Sequence, residues 1–455
     1  MAPEQHSSWA KLLALALLLA ALANGAGAYF KRIGVLDREA YKAYWAVRCT
    51  IPDRAGQRPC LDYTTPAEIA ARAAQPPMDA ADAAYRYVYR PGPVERLLKL
   101  AKDAFWAVLL ATGAWTAFAA MRGGLPGRRR AGLLLWFGLD ALAALVVSLP
   151  VNGVLVALAG LRGMLFLPLA LAGRWLARHA GVFALGASAL LVVQAALVPF
   201  ELWRGLHIFH EWSPWDLARR AAGTLVQPNS LGVFTACALA FHFCFAPRRA
   251  GFAWLAALGG VLVVASASGT GMVCAALAGA ALLWRRAPAQ QRRRAAVVGA
   301  ALAAAVLLAV PLLSGRDEMF ESPGGRVELL ADAVFGPPAM QALFGRGLGV
   351  GTNTALSLAT VGTQAAAAGP GNPAVTPTDS TLVGLVLQVG VLGAALFYAA
   401  LAWAARRDRR ARPFYAVAAL CSLTLNLTEL FPVNVLLGLA LAHSIWLDDA
   451  PGAAA

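Results

Sequence analysis

The sequence predicts an all-α polytopic membrane protein of about twelve transmembrane helices, with one large periplasmic loop between the ninth and tenth. Three observations lead there. Of 455 residues, 59% are hydrophobic and only 14% charged, with mean hydropathy +0.60, whereas soluble domains carry about a quarter charged residues. Apolar runs of roughly 17–25 residues recur along the chain, each long enough to cross a bilayer core. The net charge of +15 sits largely in short arginine clusters between those runs. That is the positive-inside pattern, and it argues against nucleic acid as a partner.

The elements follow in order. Residues 1–29 hold the first span, Trp9 to Tyr29, and residues 30–102 form a polar external segment. Residues 103–313 hold spans two to nine, beginning with Asp103 to Met121. Two spans meet near Pro150 and Val151, the second ending at Arg174 and Arg178, and a fifth covers Ala180 to Val198. After a polar, aromatic segment from Glu201 to Asn229, a sixth span reaches Arg248 and Arg249. A tight pair bends near Ser268 and Gly269 and ends at Arg285, Arg286 and Arg292 to Arg294; the ninth span ends near Leu313. The external loop is 314–380, and 381–455 carries the last three spans and the tail. The tenth span ends at Arg406 to Arg412, and the last two surround a break at Glu429 to Pro432.

Counting crossings puts all five arginine clusters on one side, which the orientation rule makes the cytoplasm. Both chain ends then lie inside and the three polar segments outside. The long 30–102 segment is itself basic, but loops beyond about 60 residues contribute little to orientation.

Cys237, Cys244, Cys274 and Cys421 lie in apolar runs and read as small buried residues. Cys49 and Cys60 share the external 30–102 segment, where a disulfide is chemically permitted. There is no CxxC pair, zinc spacing, Walker loop or DxD pair, so neither cofactor nor metal is expected. His207 and His210 are one helical turn apart but lack a third ligand nearby.

Chemistry in a membrane is sought where polar groups persist at a cost. Arg162 falls near the middle of the fourth span, which makes it a functional candidate or half of a structural ion pair. In the second external segment Ser213, Pro214 and Asp216 read as a helix start, with Arg219 and Arg220 on its second turn. Adjacent arginines on the outer side call for an anion, either a phospholipid headgroup or a substrate phosphate. In the third segment, Gly324 to Ala331 opens an amphipathic helix interrupted by Pro337 and Pro338. The turn from Phe344 to Gly351 has glycines at alternate positions around Arg346, a spacing that lets backbone N–H groups converge on an anion. Asp379, with Ser380, stands where the tenth helix enters the membrane, as a helix N-cap, a proton acceptor or both.

Together Gly325–Arg326–Val327–Glu328–Leu329, the Phe344–Gly351 turn and Asp379–Ser380 leading into Leu382, Leu385, Gly390 and Gly393 resemble the signature of the O-antigen ligase and polymerase family. Gln227–Pro228–Asn229–Ser230–Leu231–Gly232 is similar to that family's Asn motif. The resemblance runs from about Arg130 to Leu447 and excludes 30–102. It implies a metal-independent, inverting glycosyltransferase that polymerises undecaprenyl-diphosphate-linked repeat units on the periplasmic face. Its partners would be the lipid-linked donor, a glycan acceptor, the lipid bilayer and a chain-length regulator. The resemblance implies Arg326 and one of Arg219 or Arg220 as diphosphate ligands, with Asp379 in the base position and Glu321, Glu328 and Asp332 in reserve. Arg162, Arg346 and Asn229 complete the expected substrate-binding set. The ligase branch typically has His-Asn where this chain has Asp379–Ser380, which favours a polymerase over a ligase that hands a finished chain to lipid A core or a protein. A transporter of lipid-linked sugars is the rival of another class. It predicts matched halves with interrupted helices, and the sequence carries no such repeat.

Overall fold

The computed structural model describes residues 3–33, 93–121, 131–204, 220–246, 251–286, 326–352, 378 and 380–446, with single positions between 290 and 301. Among these residues the protein is all-helical and contains no strand. Five helices are long and apolar enough to cross a membrane, and a bent pair makes a sixth candidate. Of the remaining expected spans, the second lies within a continuous helix of 29 residues, Pro93–Met121, others are shorter, and the end of the ninth lies outside the described residues.

Helix α1 (Pro3–Ile33) pairs with α2 (Pro93–Met121). Helix α2 starts ten residues before the expected span, inside the stretch assigned to the external segment, where Lys99 Nζ donates to Glu95 Oε1 at 2.7 Å one turn away. Helix α3 (Gly132–Asn152) holds Pro150 within it and ends at Gly153, whose φ of 85° only glycine adopts readily. The expected junction at Pro150 and Val151 is thus displaced to Gly153. The fourth span is not one helix. It is α4 (Val154–Gly163) and α5 (Phe166–Ala172), bent by 49°, followed by the short α6 (Arg174–Arg178).

Helix α7 (Ala180–Arg204) precedes α8 (Pro228–Phe245), which begins on Pro228 because proline at the first turn sacrifices no helical hydrogen bond. Helix α8 is the centre of the bundle, with 89% of its span buried, whereas α3 buries 28%. The outward face of α3 presents Leu135, Trp136, Leu139, Leu142, Val146 and Val147. Apolar exposure on that scale is what a lipid-facing helix requires. Helices α9 (Phe252–Ser266) and α10 (Gly269–Arg286) are separated at Ala267 and Ser268, one residue before the bend expected near Ser268 and Gly269.

Helices α11 (Arg326–Phe335) and α12 (Ala339–Phe344) are separated by Pro337 and Pro338, as expected. They pack on α13 (Thr381–Arg407). The turn before α13 is capped by Ser380, whose Oγ accepts from Val383 N at 3.4 Å. Helices α14 (Arg412–Ser422) and α15 (Val433–Trp446) are joined by a longer non-helical turn than the Glu429–Pro432 break expected. Phe137, Phe166 and Phe397 meet with centroids 5.8–6.3 Å apart and lock α3, α5 and α13 together.

Segments assigned by the charge count to one side do meet. Gly25 faces Thr224, Gly27 faces Lys99, and Asn152 Nδ2 donates to Arg346 O. At the other end of α15, Asp408 Oδ2 is 2.9 Å from His443 Nδ1, and Arg407 Nε donates to Ser444 O.

Candidate functional site

The break that ends α4 creates a cleft. It is a small cleft of about 40 Å³, lined by Lys102 and Trp106 of α2, Arg162 and Gly163 of α4, Thr428, Glu429 and Phe431 of the α14–α15 turn, and Asn434 of α15. Arg162 does not sit mid-helix, as the fourth-span reading had it, but on the last turn of α4, where cations oppose the helix dipole favourably. Its Nη2 is 2.7 Å from Asp103 Oδ1, with the two side chains 33% and 40% exposed. The ion pair is therefore open to whatever enters the cleft.

Lys102 carries a second positive charge into the same space. Burial and the like charge of Arg162 push its amine down to about 8, while Asp103 and Glu429 resist the shift. The turn above is organised by its own polar groups. Asn434 Nδ2 donates to Thr428 O at 3.1 Å, and Thr428 Oγ1 donates to Asn426 Oδ1 at 2.7 Å. That leaves Asn434 Oδ1 as a buried acceptor with no donor among the described residues. The cleft thus offers two cationic donors, the Glu429 carboxylate and a spare amide acceptor, a set suited to a small group bearing both negative charge and hydroxyls.

A second arginine site lies elsewhere. Arg220 Nη2 donates to Asn229 Oδ1 at 2.8 Å, and its Nε donates to Ser266 O at 3.0 Å. The structure therefore brings together two of the expected substrate ligands, Arg220 and Asn229, in contact with each other. The residues after Arg220 are held by the buried Glu201 carboxylate, which accepts from Ala222 N and, at 2.9 Å, from Gly223 N. Gln194 completes the anchor by accepting from Thr224 N and donating to Thr224 Oγ1.

The glycine-rich turn corrects an expectation. Its N–H groups do not converge on an open anion site, because they are donated within the protein. Arg346 N goes to Leu387 O at 2.8 Å, Gly347 N to Gln388 O at 3.3 Å, Leu348 N to Ala144 O at 3.1 Å and Gly349 N to Gln388 Oε1 at 3.0 Å. The cause is a break in α13. Gly390 has φ 72°, so carbonyls of the preceding turn lose their helical donors. The turn supplies replacements. Its glycines are needed for close approach: a Cβ on Gly349 would collide with Val156 O, and one on Gly390 with Leu343 O. The Arg346 side chain is half-buried against this plug and does not line the cleft.

The backbone of Arg326 opens α11, but its side chain, with Glu328, lies outside what the structure describes. Asp379, Arg219, Glu321 and the Cys49–Cys60 pair are likewise outside the described residues. The neighbours of Asp379 are fixed: Thr378 N donates to Gly351 O at 2.9 Å and Thr381 Oγ1 to Leu425 O at 2.8 Å. Since Ser380 fills the N-cap position, the helix does not depend on Asp379 for its cap. Asp332 is exposed on α11.

Sequence reasoning missed Lys102, Asp103, Glu429 and Asn434. The available signal was charge and amide beside apolar runs, at Lys102–Asp103 and in the break at Glu429. Among the described residues no group of three His, Cys, Asp or Glu is placed to hold a metal ion. The chain matches no protein-family model and no curated protein.

Proposed function

We propose that the protein is a membrane glycosyltransferase that polymerises undecaprenyl-diphosphate-linked oligosaccharide units on the periplasmic face of a bacterial inner membrane. The observation that carries the reading is the cleft beside the Arg162–Asp103 pair, in which two cations face the Glu429 carboxylate at a break in a membrane helix. Cleaving a sugar–diphosphate bond develops charge on the leaving group. Arginine forks meet that need through bidentate, charge-assisted contacts. Arg326 takes the diphosphate with Arg219, since Arg220 is committed to Asn229 and Ser266, and Asp379 accepts the proton of the incoming hydroxyl. A single displacement inverts the anomeric centre.

The test is polymer formation by purified protein. Arg326→Ala abolishes it while the protein remains in the membrane, and Arg326→Lys rescues poorly because a point charge cannot replace a fork. With Ser380 as the cap, both Asp379→Asn and Asp379→Ala lose activity at normal protein levels. Full activity in both removes Asp379 from the mechanism, and a loss under about threefold at Arg326 removes the proposed site, since one such contact is worth about 3–4 kcal/mol.

A second reading, a carrier of lipid-linked sugars, gains support from the interrupted helix at 154–172. Detergent micelles separate the two, because a carrier has no compartments there and lengthens no chain.

A further inference from the structure

Four carboxylates of the helical bundle have fixed partners. Glu95 is held by Lys99, Asp103 by Arg162, Asp408 by His443, and Glu201 by backbone N–H groups. Asp140 differs from them. It is the ninth of the 21 residues of α3, about 12 Å from one end of the helix and about 18 Å from the other at roughly 1.5 Å per residue. Its Oδ2 is enclosed and has no hydrogen-bond partner among the described residues, and no charged side chain among them acts on it. A Cβ on Gly393, midway along α13, would strike that oxygen, so the carboxyl lies against bare backbone. The side chain as a whole is only partly buried, beside the exposed Trp136 and Leu139.

An ionised carboxylate in the middle of a membrane helix persists only with a cation or a hydrogen-bond donor beside it. Neither stands beside Asp140, and the titratable and charged groups on the elements packed against α3 are placed elsewhere. In α13 they are Tyr398, bonded to Ser422, and Arg406 and Arg407 at the far end of the helix. In α4 the group is Arg162, paired with Asp103, and α5 has none. The glycine-rich turn carries Arg346, whose backbone meets α3 at Asn152, twelve residues from Asp140. We propose that Asp140 is an intramembrane proton site, whose carboxyl binds a proton and packs on α13 in its neutral form. A proton is the ligand that an enclosed oxygen can take without further space, and it removes the charge that the bilayer opposes.

The position gives the proton a consequence. Ala144, Ser148 and Asn152 follow Asp140 at intervals of four residues, which puts them on one stripe of α3. Ala144 O accepts from Leu348 N, Ser148 Oγ donates to Leu348 O at 2.6 Å, and Asn152 Nδ2 donates to Arg346 O at 3.0 Å. The stripe therefore meets α13 at Asp140 and holds the turn that fills the Gly390 break at its other end. Loss of the proton places an unpaired charge against Gly393, three residues from that break, and loosens the seam that carries the turn. The site does not depend on the proposed enzymatic activity.

The full chain, reconstituted in phospholipid vesicles, is treated with dicyclohexylcarbodiimide, an apolar reagent that adds to neutral carboxyls, and mapped by mass spectrometry. A water-soluble carbodiimide with glycine ethyl ester modifies the exposed Asp332 and reports that carboxyls in the sample are competent. The expected product is an N-acylurea on Asp140 whose yield changes by at most about twofold between pH 5 and 6, where an ordinary carboxyl near 3.9 loses about tenfold. Asp140→Asn, which has the shape of the neutral acid, should keep the wild-type thermal midpoint at pH 6. An unmodified Asp140 beside a modified Asp332, or a tenfold loss of adduct between pH 5 and 6, overturns the proposal. So does a lower midpoint for Asp140→Asn at pH 6, because the charge would then be what the fold requires. The labelling is read on the wild type, so a misfolded variant does not blunt it.

Discussion

Arg162 and Arg220 look alike in the sequence, each an arginine where membrane rules disfavour one, yet the fold uses them differently. Arg162 pairs with a carboxylate that is itself 40% exposed, and the arginine borders a cleft. Arg220 spends its Nε on a backbone carbonyl and an Nη on Asn229, stitching the α9–α10 turn to the start of α8. The first arrangement can exchange its partner for a ligand at modest cost, because a partly exposed ion pair is worth little. The second satisfies fixed groups inside the protein, and displacing it strands them. What separates a binding arginine from a structural one is therefore the kind of partner it keeps.

That contrast sets the order of expected effects. Arg162→Ala should reduce polymer formation by about a hundred- to a thousand-fold with normal protein levels, the scale of one lost charge-stabilising contact. A fall in protein abundance at unchanged specific activity would instead make Arg162 structural, like Arg220. Gly349→Ala should act on the fold: a non-glycine residue at φ 95° stores about 1–3 kcal/mol, and its Cβ would strike Val156 O besides. The measurement is the thermal midpoint and yield in detergent, and wild-type values for both would show that the glycine-rich turn tolerates displacement.

Arg220→Met should cost about 1–3 kcal/mol of stability by leaving Asn229 Oδ1 and Ser266 O short of a donor. If stability holds and donor binding disappears, the comparison with Arg162 collapses, and Arg220 is a ligand residue after all. Lys102 sharpens the cleft side. With its amine pushed to about 8 by burial and Arg162, positive charge in the cleft falls as pH rises through that value. Activity should show an alkaline decline near pH 8 that Lys102→Met lacks.

The smallest effect is at the far end of the bundle. Burial raises the carboxyl of Asp408, but the His443 hydrogen bond and the N–H groups of Ala411 and Arg410 outweigh it, leaving it below the ordinary 3.8. A depressed carboxyl stabilises the fold above its unfolded pKa and loses that contribution as acid takes the pH below about 4. Thermal midpoints of wild type and Asp408→Asn should differ at pH 6 and converge toward pH 3.

The sequence by itself determined what depends on local composition and length. Apolar runs located the helix boundaries around Pro150 and Ser268 to within a few residues, and the break at Glu429 more loosely, because a helix in lipid must satisfy its own backbone and its side chains must be apolar. Pro337 and Pro338 separated α11 from α12 because proline cannot continue a helix. Ser380 was legible as a neighbour of a helix start, though not as the cap in place of Asp379. The tertiary structure alone decided where helices break and what the breaks expose. Nothing in Gly390 announces that its kink frees carbonyls, or that a turn more than forty residues earlier will fill them. The pairing of Arg162 with Asp103, 59 positions apart, and the arrival of Glu429 and Asn434 beside Lys102 are likewise contacts between distant segments. Periodicity encodes which face of a helix is apolar. It does not encode which polar residues of other helices that face will meet, since that follows from how the broken helices pack.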